Sequence, residues 1–179
     1  MKILAPFDRS PASEAALDQI SKIAKGESDQ VVLFSVIEPP DGGIRMRGPL
    51  RPIVAVAPLQ GANAVVVERG TPGSVENKGQ AIERQIAERT DYLRDLSVRL
   101  PDGPQYSFEA VLHDDPACAI IERALVLQPD VIVMATHGHS GLVHILFGDV
   151  AEEVVRSGVA PVLLVHPESV KDARKSSRR

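Results

Sequence analysis

The sequence predicts an α/β protein built on an open five-stranded parallel sheet with helices on both faces. Three observations carry that expectation. Short apolar runs recur along the chain: "KILAP" at 2–6, "VVLFSVI" at 31–37, "VIVMA" at 131–135 and "VLLV" at 162–165. They have the length of strands, and their unbroken hydrophobicity suits strands covered on both sides. Segments with helical spacing of apolar residues separate them, so the order reads βαβαβαβαβ, which implies parallel strands joined by right-handed crossovers. Helix-starting and helix-ending residues stand at several of the joints.

The first run ends at Pro6. Ser10 offers an N-cap oxygen and Pro11 suits a first helical position, with Ala16, Ile20 and Ile23 following at helical spacing. After the run at 31–37, residues 38–75 make a connection longer than an α/β unit needs. It contains "PIVAVAP" and "NAVVVERG", two β-branched runs that suit a hairpin arm over the ligand crevice or a partner subunit, or a partly ordered surface excursion. Ile82, Ile86, Leu93, Leu96 and Leu100 then mark one long amphipathic helix. "YSFEAVL" at 106–112 is an alternating, weaker strand suited to a sheet edge. Asp115 as N-cap and Pro116 at the first helical position open the next helix, with Ile120, Ile121, Ala124 and Leu125 expected inward. Asp149 and Glu152 form an Asp-x-x-Glu start close to a capping box. Val150, Val154 and Val155 follow, and Gly158 is placed to end that helix.

With 179 residues, 44% hydrophobic and 25% charged, the chain suits one domain over 1–168 with a sizeable core. Aromatic residues make up 3% and Trp is absent, so the core must be aliphatic and base-stacking platforms are scarce. The last nine residues hold five basic side chains and one acidic, which leaves the remainder of the chain at a net charge of −8. The basic segment 169–179 reads as a disordered tail, and an acidic body argues against nucleic acid as a partner. The single cysteine, Cys118, excludes an intrachain disulfide and reads as a small core residue. Pro6 and Asp8 interrupt any signal-type apolar segment, and no run approaches a membrane span, so the expected location is cytoplasmic with no membrane partner.

In this fold class ligands sit beyond the carboxyl ends of the strands, here Pro6–Asp8, Val36–Glu38, His113–Asp115 and Ala135–Gly138. The last of these opens "MATHGHSGLVHILFGDVAEEV" at 134–154, with Gly138, Gly141 and Gly148. A strand, a glycine-bearing loop and a helix can bind phosphate through converging N–H groups and the positive helix end. The same glycines serve a tight turn equally well. His137, His139 and His144, with Asp8, Asp114 and Asp149, are suitable types for a divalent metal, but His-x-His-x4-His in a loop is not a ligand signature and no intrinsic metal site is predicted. Ser140 beside His139 is not a triad, and no nucleophile elbow, Walker loop or acid–base pair is present, so no catalytic residue is predicted.

"VIVMATHGHSGLVHILFGDVAEEVVRSGVAPVLLV" resembles the C-terminal signature of the universal stress protein family. "ILAPFDRSPASEAAL" is similar to that family's opening strand and helix, "VVLFSVIEPP" to its second strand and "DDPACAIIERA" to its third helix entry. The resemblance spans all but 38–75. It implies sheet order 3-2-1-4-5, the adenine nucleotide alpha hydrolase-like fold, and a homodimer paired through the strand at 161–165. ATP-binding members carry Gly-x2-Gly-x9-Gly-Ser/Thr. Here Ala135 replaces the first glycine and Asp149 the final hydroxyl. Carried over residue by residue, the crevice consists of Pro6 and Asp8 at the first strand's end, with Asp8 facing the nucleoside, and Val36, whose backbone meets adenine. Met134, Gly138, Gly148 and Val150 line the phosphate side, His139 and Ser140 point at phosphates, and Asp149 stands at the helix start. Asp114 adds a negative charge where the family commonly has glycine.

Asp149 removes a donor and adds like charge. Two unit charges ~4 Å apart interact by about 4 kcal/mol at an effective dielectric of ~20. The implied cofactor is therefore ATP or AMP held weakly, with Mg²⁺ only alongside nucleotide. The implied function is that of a stress-response or regulatory dimer with a weak or degenerate adenine-nucleotide crevice. Two other readings stand beside it: an ATP-binding switch with slow ATPase activity, and an interaction scaffold docking through 38–75.

Overall fold

The computed structural model describes residues 1–39, 76–136 and 148–167. Most of the 38–75 excursion, the basic tail, and Gly138, His139 and Ser140 with the three loop histidines lie outside the described residues. The elements in order are β1 (Lys2–Pro6), a 3-10 turn (Ser13–Ala15), α1 (Ala16–Ile23), β2 (Gln30–Ile37), α2 (Glu76–Ser97), β3 (Gln105–Leu112), α3 (Pro116–Leu127), β4 (Val131–Ala135), α4 (Asp149–Ser157) and β5 (Val162–Val165). The five strands form one parallel sheet in the order β3-β2-β1-β4-β5, as expected.

The unbroken apolar runs find their reason in two cores, one on each side of the sheet. Ile3, Ala5, Val31, Leu33, Phe108 and Val133 pack on Ala16, Leu17 and Ile20 of α1 and Leu93 and Leu96 of α2. Leu4, Val32, Phe34, Ile132 and Met134 face the other way, onto Ile120 and Ala124 of α3 and Ala151 and Val154 of α4. Successive strand residues thus feed opposite cores, and each large side chain so buried contributes roughly 1.5–3 kcal/mol. Among the described residues, no helix is long and apolar enough to cross a membrane.

Three local expectations need correction, while β3 is an edge strand as read and buries a charge there. Glu109 is 3% exposed because Arg123 of α3 covers it, with Nε and Nη2 donating to the two carboxylate oxygens at 2.5 and 2.7 Å. Leu125 points outward at 62% exposure, because Ala117, Ile120 and Ala124 set the buried stripe of α3. Cys118 is half-buried at the surface rather than in the core. Finally, Asp149 is not the cap of α4. Gly148 is the N-cap, Asp149 is the first helical residue, and no side chain among the described residues caps this end. The carbonyl of Gly148 accepts the Glu152 N–H at 3.0 Å, and Glu152 turns to Arg156 at 2.7 Å instead of back to the cap.

Other joints behave as the residues suggested. Asp115 caps α3 by accepting the Cys118 N–H at 3.0 Å, with Pro116 at the first position. Gly158 ends α4 at φ 63°, a left-handed backbone that glycine adopts without strain. The Ser10 cap is a further correction: Ser10 Oγ accepts the Ser13 N–H at 3.1 Å, but the 3-10 turn has Ala12 as its N-cap and α1 has Ala15.

Candidate functional site

β1 lies between β2 and β4, so the chain leaves it first toward one sheet edge and later resumes on its other side. The crossovers diverge there, and in open sheets of this kind the carboxyl ends of the strands at such a switch point, here β1 and β4, are where ligands bind. Pro6 is half-buried at the end of β1, and the next amide, Phe7 N–H, donates to Phe34 O at 2.8 Å. Asp8 follows, exposed, with Oδ1 accepting the Ser10 N–H at 2.8 Å. That bond turns the chain sharply out of the sheet and fixes the carboxylate at the mouth. Val36 is half-buried at the end of β2, opposite Val111 of β3. The side chain of Met134 is 5% exposed and belongs to the core, so only its backbone can face the crevice.

The phosphate side rests on α4. Gly148 takes an extended backbone, φ −73° and ψ 157°, so its conformation does not require glycine. Asp149 is exposed in the first turn and Val150 is half-buried behind it. With no capping side chain, the first-turn N–H groups of α4 form an open, electropositive end, and Asp149 places its carboxylate beside them. At the end of β4, Thr136 N–H donates to Val165 O at 2.9 Å. The Thr136 hydroxyl is buried and has no hydrogen-bond partner among the described residues. Pro6, Asp8, Val36, Gly148, Asp149 and Val150 therefore lie at the carboxyl-side ends of β1 and β2 and at the start of α4.

Two residues that the sequence reading passed over stand close by. Arg9 adopts φ 69°, a left-handed conformation that costs a non-glycine residue roughly 1–2 kcal/mol. Its guanidinium lies 5.8 Å from the Tyr92 ring centre, within cation–π range. Arg89 donates to Ser35 Oγ at 3.1 Å, and Ser35 in turn donates to Phe7 O at 2.5 Å, so α2 is tied to the β1 terminus through a buried hydroxyl. Burial, and then the neighbouring Arg9 charge, lower the Arg89 pKa from its ordinary value. Burial, with Glu14 adding to it, pushes the Tyr92 phenol up to about 12. A sequence signal for Arg89 existed. It falls within the apolar stripe 82, 86, 93, 96 and 100, where a charged side chain needs a partner.

An open five-stranded parallel sheet in the order β3-β2-β1-β4-β5, with helices on both faces, is the adenine nucleotide alpha hydrolase-like class of fold. Within that class, the universal stress protein family signature matches residues 1–166, and the chain belongs to that family. Universal stress protein MJ0577 of Methanocaldococcus jannaschii is 26% identical over 92% of this chain and 93% of its own length. A structure of MJ0577 superposes with a TM-score of 0.63 at 25% identity, covering 92% of this chain and 94% of that one. A universal stress protein crystallised with cAMP gives a TM-score of 0.53 at 17% identity, covering 93% and 97%. A family member from Arabidopsis thaliana with AMP bound gives 0.50 at 13% identity, covering 93% and 90%.

Proposed function

We propose that this protein is a regulatory, stress-response dimer whose crevice accepts the adenosine part of a nucleotide and disfavours a triphosphate. The observation that carries this reading is the start of α4. Its N–H groups carry no side-chain cap, which favours an anion, but the residue beside them is an exposed aspartate rather than a hydroxyl donor. The balance suits one phosphate turned toward solvent better than three in a row. Two proteins of the same fold bind adenosine monophosphates, cAMP in one and AMP in the other, which supports the ligand class. No reacting group is assigned, so binding rather than turnover is the proposed activity. ATP hydrolysis and Mg²⁺ would matter only if a triphosphate were held.

The dimer half of the proposal rests on β5. It is an edge strand paired only with β4 among the described residues, and its Leu163 is 36% exposed. An apolar edge of this kind is an aggregation hazard unless a second copy covers it. Mass spectrometry of nucleotides released from freshly purified protein tests the ligand, and light scattering tests the assembly. AMP or another monophosphate in the released fraction and a dimer at micromolar concentration are expected. Stoichiometric ATP, or a monomer, would overturn the respective half.

A further inference from the structure

His113, Cys118 and Glu122 come together where β3 hands over to α3. Cys118 is the third residue of the helix and Glu122 lies one turn further on the same side, with Sγ 3.7 Å from Oε1. His113 follows the last residue of β3, and its N–H donates to Ile37 O at 3.0 Å, which fixes its backbone to the sheet. One donor atom from each of the three side chains lies within 4.8 Å of the others, and all three residues are half-buried. The second carboxylate oxygen of Glu122 is buried without a hydrogen-bond partner among the described residues. A desolvated carboxylate oxygen with no donor is costly unless something positive meets it.

The donor set names the chemistry. Thiolate, imidazole and carboxylate together suit a borderline ion such as Zn²⁺, whereas Ca²⁺ and Mg²⁺ take oxygen ligands. Three protein ligands leave a fourth tetrahedral position for water. Metal–ligand bonds of about 2.0–2.3 Å place neighbouring donor atoms roughly 3.3–3.8 Å apart, so the present spread closes by side-chain rotation on a fixed backbone. His113 Nδ1 accepts the Asp115 N–H at 2.9 Å and lies 3.6 Å from the Asp114 carboxylate. A ring bound through Nε2 carries its proton on Nδ1 and gives it to Asp114, the carboxylate–histidine–metal arrangement, in exchange for the Asp115 contact.

We propose that His113, Cys118 and Glu122 form a three-ligand site for Zn²⁺ or a similar borderline divalent ion. Binding removes the Cys118 proton to solvent and moves no electrons.

Cobalt titration of the full, untagged, reduced chain is the test. The chain holds one cysteine, so a near-ultraviolet thiolate-to-cobalt charge-transfer band reports Cys118 alone, and binding by loop histidines produces none. One equivalent of Co²⁺ should give that band with the visible spectrum of a four-coordinate ion, and Zn²⁺ should abolish both. Cys118→Ser should remove the band. Glu122→Gln and His113→Gln should keep it while weakening cobalt binding by about 10- to 100-fold. The proposal fails if the wild type shows no band, if the band needs two chains per ion, or if neither Glu122→Gln nor His113→Gln changes affinity. Circular dichroism shows which variants remain folded, and the wild-type titration decides even if one of them does not.

Discussion

α3 and α4 pack side by side against one face of the sheet, and both start beyond the carboxyl end of a strand, yet their first turns are built in opposite ways. α3 closes its own end: Asp115 caps the Cys118 N–H, Pro116 removes one orphan donor, and Arg123 locks the helix to Glu109 of β3. α4 leaves its end open, capped only by the backbone of Gly148 and held to the sheet by Ala151 and Val154. A self-capped terminus has fewer N–H groups left for an anion than an uncapped one. The difference assigns the roles. On the proposed reading, α3 is the fixed wall, with the His113–Cys118–Glu122 group at its entrance, and α4 is the side that would meet a phosphate, with Asp149 limiting the negative charge there.

The contrast breaks most visibly at the ion pair. Arg123→Leu leaves Glu109 buried and unpaired, and should cost about 3–5 kcal/mol. Replacing both residues by Leu should recover most of that loss, since an apolar pair strands no charge. Urea denaturation of the two single variants and the double variant measures the cycle. No change of this size is expected anywhere in α4 short of the core residue Val154, which is fully buried.

A smaller effect separates the two caps. Asp115→Ala should destabilise the fold by about 1 kcal/mol, because it removes a bonded cap. Asp149→Ala should cost about 0.5 kcal/mol, because this carboxylate meets only the helix dipole. Thermal melts of both variants at low and high salt sharpen the comparison. Salt should erase most of the Asp149 effect and little of the Asp115 effect. Equal losses would mean that Asp149 caps α4 after all.

How much of this was legible in the sequence follows from the range of each interaction. The strands were readable because burial on both faces makes unbroken apolar runs, as in "VVLFSVI". The start of α3 was readable because capping by Asp115 and Pro116 is local. The start of α4 was misplaced by one residue because Gly148 and Asp149 are both acceptable N-caps, and local preference does not choose between them. Leu125 was turned inward wrongly because α3 is apolar nearly all round, so no polar face broke the tie. The burial of Glu109 was not legible because its partner lies fourteen residues away on another element. Two of the three members of the His113–Cys118–Glu122 group stand in the sequence as a cysteine and glutamate one helical turn apart. The histidine joins them only through the corner between β3 and α3.

The central claim is that the end of α4 keeps the form of a phosphate cradle while Asp149 opposes a triphosphate. Calorimetric titration of wild type and Asp149→Ser with ATP, with and without Mg²⁺, tests it most directly. Serine removes the charge and restores a hydroxyl donor, and Asp149 is not the cap, so the variant should remain folded. ATP affinity should rise by about one to two orders of magnitude, or about 1.4–2.8 kcal/mol, less than the bare Coulomb repulsion because the exposed carboxylate is screened and free to turn away. Tight ATP binding by the wild type without metal, or no gain in Asp149→Ser, would contradict the account.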